Sequence, residues 1–563
     1  MKLTGGQIVC ESLIREGVDT IFGLPGGAIL PLYQTLSHFP QLKHILVRHE
    51  QGAAHAADGY ARVTGKPGVA WATSGPGATN LITGMMSAYM DSIPMVLITG
   101  QVGRAAIGSD AFQECDIQGI SLPVTKHNYL VMEVDEIAET INEAFHIANT
   151  GRPGPVHIDI PKDIFTEITE FEYPEIPDLP GYRPNINPHP KQIKRAVQLI
   201  EHAQKPVILA GHGVLISKAQ NELLELAEKA QIPVINTLMG VSNFPSNHIL
   251  YGGWPGMHGM AYASLALEEA DLIIGLGTRF DDRITGNTSM FARNSKKIHV
   301  DIDPSEIGKI INVDVPIVGD LKTVISAIRN DVSKKTHGPW LERIDTLKRE
   351  HPLSDPQKPK SLQMKFVIDE ISKATNGDAI IVTGVGQHQM WAAQYYPFKK
   401  PNSFISSSGS GAMGYEVPAA MGAQVGSPDR TVWSICGDGG FQMTMYELAT
   451  IVENNIPVKF AIMNNNSLGM VRQWQELFYD QNYFSTIYSQ NPDFVKLAEA
   501  FGMPSWRVSK KSDVNTTIAK ALAHSGPTLI DFVVEQEDNV YPMIPAGMSI
   551  NELIEEPVNK ETL

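Results

Sequence analysis

A carboxylate at Asp438, set in a Gly437-Asp438-Gly439 turn, and a run of polar oxygens from Asn464 to Ser467 are separated by a single amphipathic segment. The run "TVWSIC" before the turn reads as a buried strand, "FQMTMYELATIVEN" as a helix with apolar residues at 3–4 spacing, and "IPVKFAIM" as a second strand. In such a βαβ unit the strands are parallel and near neighbours, so Asp438 and residues 464–467 fall together at carboxyl ends of strands, where open α/β sheets bind ligands. Carboxylate and amide oxygens beside a glycine turn and a helix N-terminus suit a hard divalent cation holding a diphosphate. Helix capping and strand-ending turns explain either half alone, but not the spaced pair.

The elements that must position these groups extend over a long chain. At 563 residues, and roughly 150 residues per domain, three or four domains are expected. Two Pro-rich segments, 173–190 and about 333–360, interrupt the alternation of strands and helices and read as linkers. They divide the chain into blocks of 1–170, 190–332 and 360–540, followed by a tail, 541–563. The expected fold class is α/β: three doubly wound parallel-sheet domains, the first and third related and the middle one Rossmann-like. The relation rests on "VAWATSGPGATN" against "TVWSICGDGGFQ" and on "DSIPMVLITG" against "NNIPVKFAIMNN", with Pro76 and Gly100 standing where the third block has Asp438 and Asn464. The middle block, with "KPVILAGHGVL", "DLIIGLGTRFDDRITG" and "KKIHVDIDPSEIG", has the layout of a nucleotide-binding sheet but no clean G-x-G-x-x-G.

Composition narrows the classes. Hydrophobic residues at 43% and charged residues at 19% describe a globular protein, and a formal charge of −16 without a Lys/Arg cluster argues against nucleic-acid binding. Cys10, Cys115 and Cys436 form no CxxC pair, which points to a reducing cytoplasm, and neither a signal peptide nor a membrane span is expected.

A cation and diphosphate site facing a related block without one resembles the thiamine-diphosphate enzymes. The resemblance implies that Asp438, Asn465 and the carbonyl of Ser467 hold Mg²⁺ against the diphosphate of that cofactor. It also identifies Glu50, in "LVRHEQGAAHAADGYAR", as the carboxyl group that hydrogen-bonds the aminopyrimidine ring and exchanges a proton with it. Across nearly the whole chain, "FGLPGGAILPLY", "SGPGATN", "DAFQE", "GRPGPVHIDIPKD", "LGTRFDDRITG", "GVGQHQMWAAQ" and "LGMVRQWQELFY" are similar to the catalytic subunits of the acetohydroxyacid synthase, or acetolactate synthase, family.

Carried over, the resemblance implies a thiamine-diphosphate site with Pro25, Gly26, Glu50, Pro76, Asn80 and Gln113 on one side. On the other it implies Val385, Gly386, Gln387 and His388, the apolar support Met413, the turn Gly437 to Gly439, and Gly469 with Met470. The segment "SGSGAMGYE" departs from the family's usual Gly-Gly-Leu-Gly-Thr-Met-Gly-like run in its serines and Ala412. The two cofactor halves come from different subunits in this family, which implies a homodimer or tetramer with the site at the interface.

The implied reaction decarboxylates pyruvate and transfers its two-carbon unit to a second 2-keto acid, pyruvate or 2-oxobutyrate, the first common step of branched-chain amino-acid biosynthesis. Arg283 is implied to bind the acceptor carboxylate and Trp474 to wall its side chain. Lys162 and Phe112 would line the entrance, and Gly27 with Ala28 would approach the reacting centre through backbone groups. The "RFDDRITG" run implies a structural FAD. Arg152, Gly211 and Gly213 would contact it, with Thr237, Leu238, Met257 and His258, and with Gly277, Arg279, Asp281, Asp301 and Asp320. Feedback control would need a separate small regulatory subunit. A pyruvate oxidase or decarboxylase of the same family is the alternative, expected to lack the Arg283 and Trp474 pair. A non-catalytic paralogue should have lost Glu50 or Asp438, and an NAD-dependent dehydrogenase would need the missing G-x-G-x-x-G.

Overall fold

Short Val/Ile/Leu-rich runs that end in Gly or polar residues are the pattern of strands buried on both faces, and here they form three all-parallel sheets in a computed structural model that describes residues 1–557. The first sheet takes its strands from Thr20–Gly23 to Pro155–Pro161, the middle one from Pro206–Ala210 to Val315–Val318, and the third from Ile380–Thr383 to Thr528–Val533. Counted in chain order, the first and third sheets share the strand order 2-1-3-4-6-5, and the middle sheet has 2-1-3-4-5. All their pairings are parallel, while a separate antiparallel pair joins Lys2–Thr4 to Ile168–Glu170.

Each order reverses direction between its first and third strands, and such a switch point opens a crevice at the carboxyl edge. In the first sheet the switch lies between Thr20–Gly23 and Gly68–Ala72, in the middle sheet between Pro206–Ala210 and Leu272–Leu276, and in the third between Ile380–Thr383 and Val432–Gly437. The residues that follow those strands are the chemically suggestive ones: Pro25 and Pro76, Gly211 and Gly277, Val385 and Asp438.

The first and third sheets share a core through the helices Glu50–Thr64 and Glu416–Gly426. These helices touch backbone to backbone. A Cβ at Gly422 would lie 1.8 Å from the carbonyl oxygen of Ala56, and one at Gly59 would lie 2.1 Å from that of Ala419. Only glycine permits such an approach.

Three expectations differ from the structure. The run 441–454, expected as one helix, is Asp438–Thr444, a 3-10 turn Met445–Glu447, and Leu448–Glu453; Thr444 Oγ1 donates to the carbonyl of Gly414 at 2.7 Å, at the point where the α-helix ends. The expected linker around 333–360 contains the helix Gly338–Glu350, which sinks Trp340, Ile344 and Leu347 into the core. Its Trp340 Nε1 donates to the carbonyl of Pro206 at 3.0 Å. Residues 541–557 are no free tail, since Ile544 N–H donates to Met257 O at 2.8 Å and Asn287 N–H to Met548 O at 3.0 Å; residues 558–563 of the expected tail lie outside the described residues. No helix among the described residues is long and apolar enough to cross a membrane.

Candidate functional site

Around the third switch point, Asp438 is the first residue of its helix and is 1% exposed, and burial pushes its carboxyl up to about 6. Its Oδ2 accepts from Asn491 Nδ2 at 2.7 Å, and the same nitrogen lies 3.0 Å from both Asn464 Oδ1 and Asn466 Oδ1. Three oxygens thus converge on one nitrogen, although an amide has only two hydrogens. Asn465 Oδ1 accepts from the N–H of Ser467 at 3.2 Å, and the Ser467 hydroxyl is buried without a partner. Among the described residues no three His, Cys, Asp or Glu side chains form a metal-sized group. The donor set is therefore carboxylate, amide and backbone oxygen, which fits Mg²⁺ rather than a thiophilic metal. Asn491 had no legible signal beyond preceding a proline.

The walls of this crevice are cut close. A Cβ at Gly437 would lie 2.9 Å from the His388 ring, one at Gly439 2.6 Å from the Tyr488 hydroxyl, and one at Gly469 2.1 Å from Gln387 Oε1. Gln387 is pinned by its Nε2, which donates to Gln473 Oε1 at 3.0 Å and to the carbonyl of Asp538 at 2.8 Å. His388 Nε2 is buried without a partner, and desolvation pushes the ring down to about 3, so the imidazole is neutral. An unpaired nitrogen, three convergent oxygens and glycine walls fit a group that brings its own oxygens and nitrogens, as thiamine diphosphate does.

The serine-rich run before Met413 has a definite structure. Ser407 Oγ accepts from the N–H of Ala412 at 3.0 Å and meets Ser87 Oγ at 2.9 Å. Asp91, reaching over from the first domain, accepts from the N–H groups of Ser408 at 3.0 Å and Gly409 at 2.7 Å. Hydroxyl and carboxylate acceptors thus fix the turn.

Around the first switch point, Glu50 begins the helix Glu50–Thr64 and is 7% exposed. Asn80 Nδ2 donates to its Oε2 at 3.0 Å, and a Cβ at Gly77 would lie 3.2 Å from Oε1. Gly26 packs on Thr73, whose hydroxyl accepts from Ala28 N–H at 3.1 Å, and a Cβ at Gly75 would lie 2.8 Å from the Gln113 carbonyl oxygen. Pro25, Gly27, Pro76 and Lys162 are exposed, and Phe112 is 88% exposed. This crevice is open on its outer side.

The middle switch point opens into a cavity of about 1080 Å³. Arg152, Gly213, Thr237, Leu238, Met257, His258, Gly277, Arg279, Asp281, Asp301 and Asp320 line it, together with Arg283, Val385, Gly386, Met413, Met470 and Trp474. Gly211 does not line it, because a Cβ there would lie 2.1 Å from Gly277 O: it backs the wall instead. Both ring nitrogens of His258 are buried without partners, and burial pushes that ring down to about 3 and Asp301 up to about 6. The volume and the unpaired polar atoms fit a dinucleotide-sized group such as FAD. Neither Glu50 and its neighbours nor the Gly437 to Gly439 turn line this cavity.

Three family models match the chain in order: the thiamine pyrophosphate enzyme N-terminal TPP-binding domain over residues 3–120, the central domain over 193–328, and the C-terminal TPP-binding domain over 384–532. An acetolactate synthase large subunit of Mycobacterium tuberculosis is 51% identical, over 98% of this chain and 91% of that protein. The acetolactate synthase large subunit of Corynebacterium glutamicum is 49% identical over 98% and 90%, and that of Lactococcus lactis 44% identical over 98% and 96%.

Proposed function

Because this chain belongs to the acetolactate synthase large-subunit family of thiamine pyrophosphate enzymes, we propose an assignment of its residues to that reaction. The enzyme decarboxylates pyruvate and transfers the two-carbon unit to a second 2-keto acid. Bound thiamine diphosphate supplies the carbon nucleophile and the electron sink.

Asp438, Asn465 and the carbonyl of Ser467 would hold Mg²⁺, and Gly437, Gly439 and Gly469 would let the backbone approach the diphosphate. Val385, Gly386, Gln387 and His388 form the opposite wall, with Met413 and Met470 as apolar support. Glu50, with Pro25, Gly26, Pro76, Asn80 and Gln113 around it, serves the aminopyrimidine end. Asn80 occupies Oε2 of Glu50, which leaves Oε1 to hold and return the proton. Gly27, Lys162 and Phe112 stand at the entrance. Arg283 draws the acceptor carboxylate, and Trp474 walls the acceptor side chain. The lining of the middle cavity would hold FAD as a structural group, because the reaction has no net redox change.

The observation that carries this reading is the shared strand order 2-1-3-4-6-5 of the first and third sheets, with Glu50 served by one switch point and Asp438 by the other. In one chain the Glu50 crevice does not reach the cavity that Val385, Gly386, Met413 and Trp474 line. That supports a homodimer, or a dimer of dimers, in which each site takes Glu50 from one subunit and Asp438 from another. The free cysteines Cys10, Cys115 and Cys436 suit a reducing cytoplasm, and feedback control falls to a separate small subunit.

The test is product analysis after incubation with pyruvate, 2-oxobutyrate, Mg²⁺, thiamine diphosphate and FAD. Acetohydroxy acids, lost when FAD is withheld, are expected. Acetaldehyde, or acetate with peroxide, would instead remove Arg283 and Trp474 from their roles.

A further inference from the structure

The 3-10 turn that interrupts the Asp438 helix throws one side chain across to the first domain. Glu447 is 0% exposed. Its carboxylate accepts from the N–H of Arg48, at 3.0 Å to Oε1 and 3.2 Å to Oε2, and from the N–H of His49 at 3.1 Å. Thr450 Oγ1 also donates to Oε2, at 2.6 Å. Arg48 and His49 are the two residues before the helix Glu50–Thr64, where N–H groups need acceptors and negative charge is favoured. Gly52 leaves room for the same carboxylate: a Cβ there would lie 2.3 Å from Oε1. The turn follows directly on the helix that Asp438 begins.

We propose that Glu447 is a positioning residue for Glu50, fixing the first turn of the Glu50 helix to the segment that carries the Asp438 turn. This rests on the role given to Glu50 above. Glu447 touches no reacting group. Its carboxylate satisfies backbone donors that would otherwise be free to turn, and so sets where the Glu50 side chain leaves its helix.

Two variants of the full-length enzyme test this from opposite sides. Glu447→Gln keeps the shape but has a single acceptor oxygen for donors that now share two. Gly52→Ala leaves Glu447 in place and pushes a methyl group into its carboxylate. In the absence of cofactors, backbone amide exchange in residues 47–53 should speed up at least fivefold in both, with the rest of the chain unchanged. Thiamine diphosphate affinity, read by intrinsic tryptophan fluorescence, should stay within threefold of wild type. Turnover should fall at least tenfold with KM for pyruvate within threefold.

Unchanged exchange at 47–53 with unchanged turnover would overturn the proposal. Exchange that rises throughout the third domain, with affinity and turnover falling together, would also overturn it, because Glu447 would then be a packing residue only. Should Glu447→Gln fail to fold, Gly52→Ala decides alone. Glu50→Gln is measured beside them: if it retains full turnover, the role of Glu50 fails, while the exchange data still report on the tie.

Discussion

Glu416 offers a severe test of the electrostatics around the cofactor crevice. It is 0% exposed, and both carboxyl oxygens are buried without a hydrogen-bond partner. It is wedged between two glycines that flank the crevice: a Cβ at Gly384 would lie 2.5 Å from its carboxyl atoms, and one at Gly440 would lie 2.4 Å from Oε1. Burial pushes it from the ordinary 4.5 up to about 7, tempered by the nearby N–H groups of Gly414 and of Glu416 itself, neither of which reaches hydrogen-bond geometry. A folded-state value above the unfolded one means that the folded protein binds the proton more tightly. Ionisation therefore costs stability, a cost absent below about pH 4.5 and fully present above about pH 7. At ~1.4 kcal/mol per pH unit the shift from 4.5 to about 7 is worth about 3 kcal/mol. Glu416→Gln, neutral at every pH, should match wild type near pH 4.5 and gain about 3 kcal/mol by pH 8. For a domain of this size that is roughly 6–12 °C in the apo melting midpoint. The assay is thermal unfolding of both proteins across pH 4.5–8. Constant desolvation or packing costs of the amide shift every point equally, so only the slope matters. A difference that does not grow with pH, or that grows in the opposite direction, would refute a charged, unpartnered Glu416.

Glu50→Gln should bind thiamine diphosphate within a few-fold of wild type and lose most turnover, as paired binding and rate measurements would reveal. Chelation should abolish activity and added Mg²⁺ restore it. Because burial holds the Asp438 carboxyl near 6 and the cation needs it ionised, the affinity for Mg²⁺ should fall roughly tenfold per pH unit below that point, measurable by titrating the metal at pH 5 and pH 7. Trp474→Leu should change the preference between 2-oxobutyrate and pyruvate by ~1–3 kcal/mol in competition assays, the worth of about one methylene in a shaped pocket. Gly469→Ala puts a methyl group 2.1 Å from Gln387 Oε1 and should weaken cofactor binding and also lower the apo melting midpoint, because the pinned Gln387 must give up its bonds to Gln473 and Asp538.

The βαβ unit around Asp438 was legible because two independent signals coincide there, a buried-strand pattern and polar oxygens at both strand ends. The three sheets were legible for the same reason: parallel strands covered on both faces are continuous apolar runs bounded by glycine. The break at Met445–Glu447 was not. Its residues continue the helical period, and what stops them is Thr444 meeting the carbonyl of Gly414, a contact between segments 30 residues apart. Glu447 and Asp91 were missed for a related reason, because each carboxylate serves N–H groups of another domain and nothing nearby in sequence marks it. The helix Gly338–Glu350 hid among prolines whose composition reads as linker, although Trp340, Ile344 and Leu347 carry its buried face. Family resemblance supplied the residues of the middle cavity; their packing explains why Gly211 backs the wall rather than lining it.

The glycine-to-carbonyl crossing of the helices Glu50–Thr64 and Glu416–Gly426 has a consequence for anyone who recombines this protein with its relatives. Each helix is shaped to the other's main chain, at Gly59 on Ala419 and at Gly422 on Ala56. A chimera that exchanges the first domain alone inherits one face of that crossing and not the other, and a single methyl group at either glycine is enough to jam it. Residues 50–64 and 416–426 are therefore one inherited unit, more than 350 positions apart in the chain, and crossover points belong outside both.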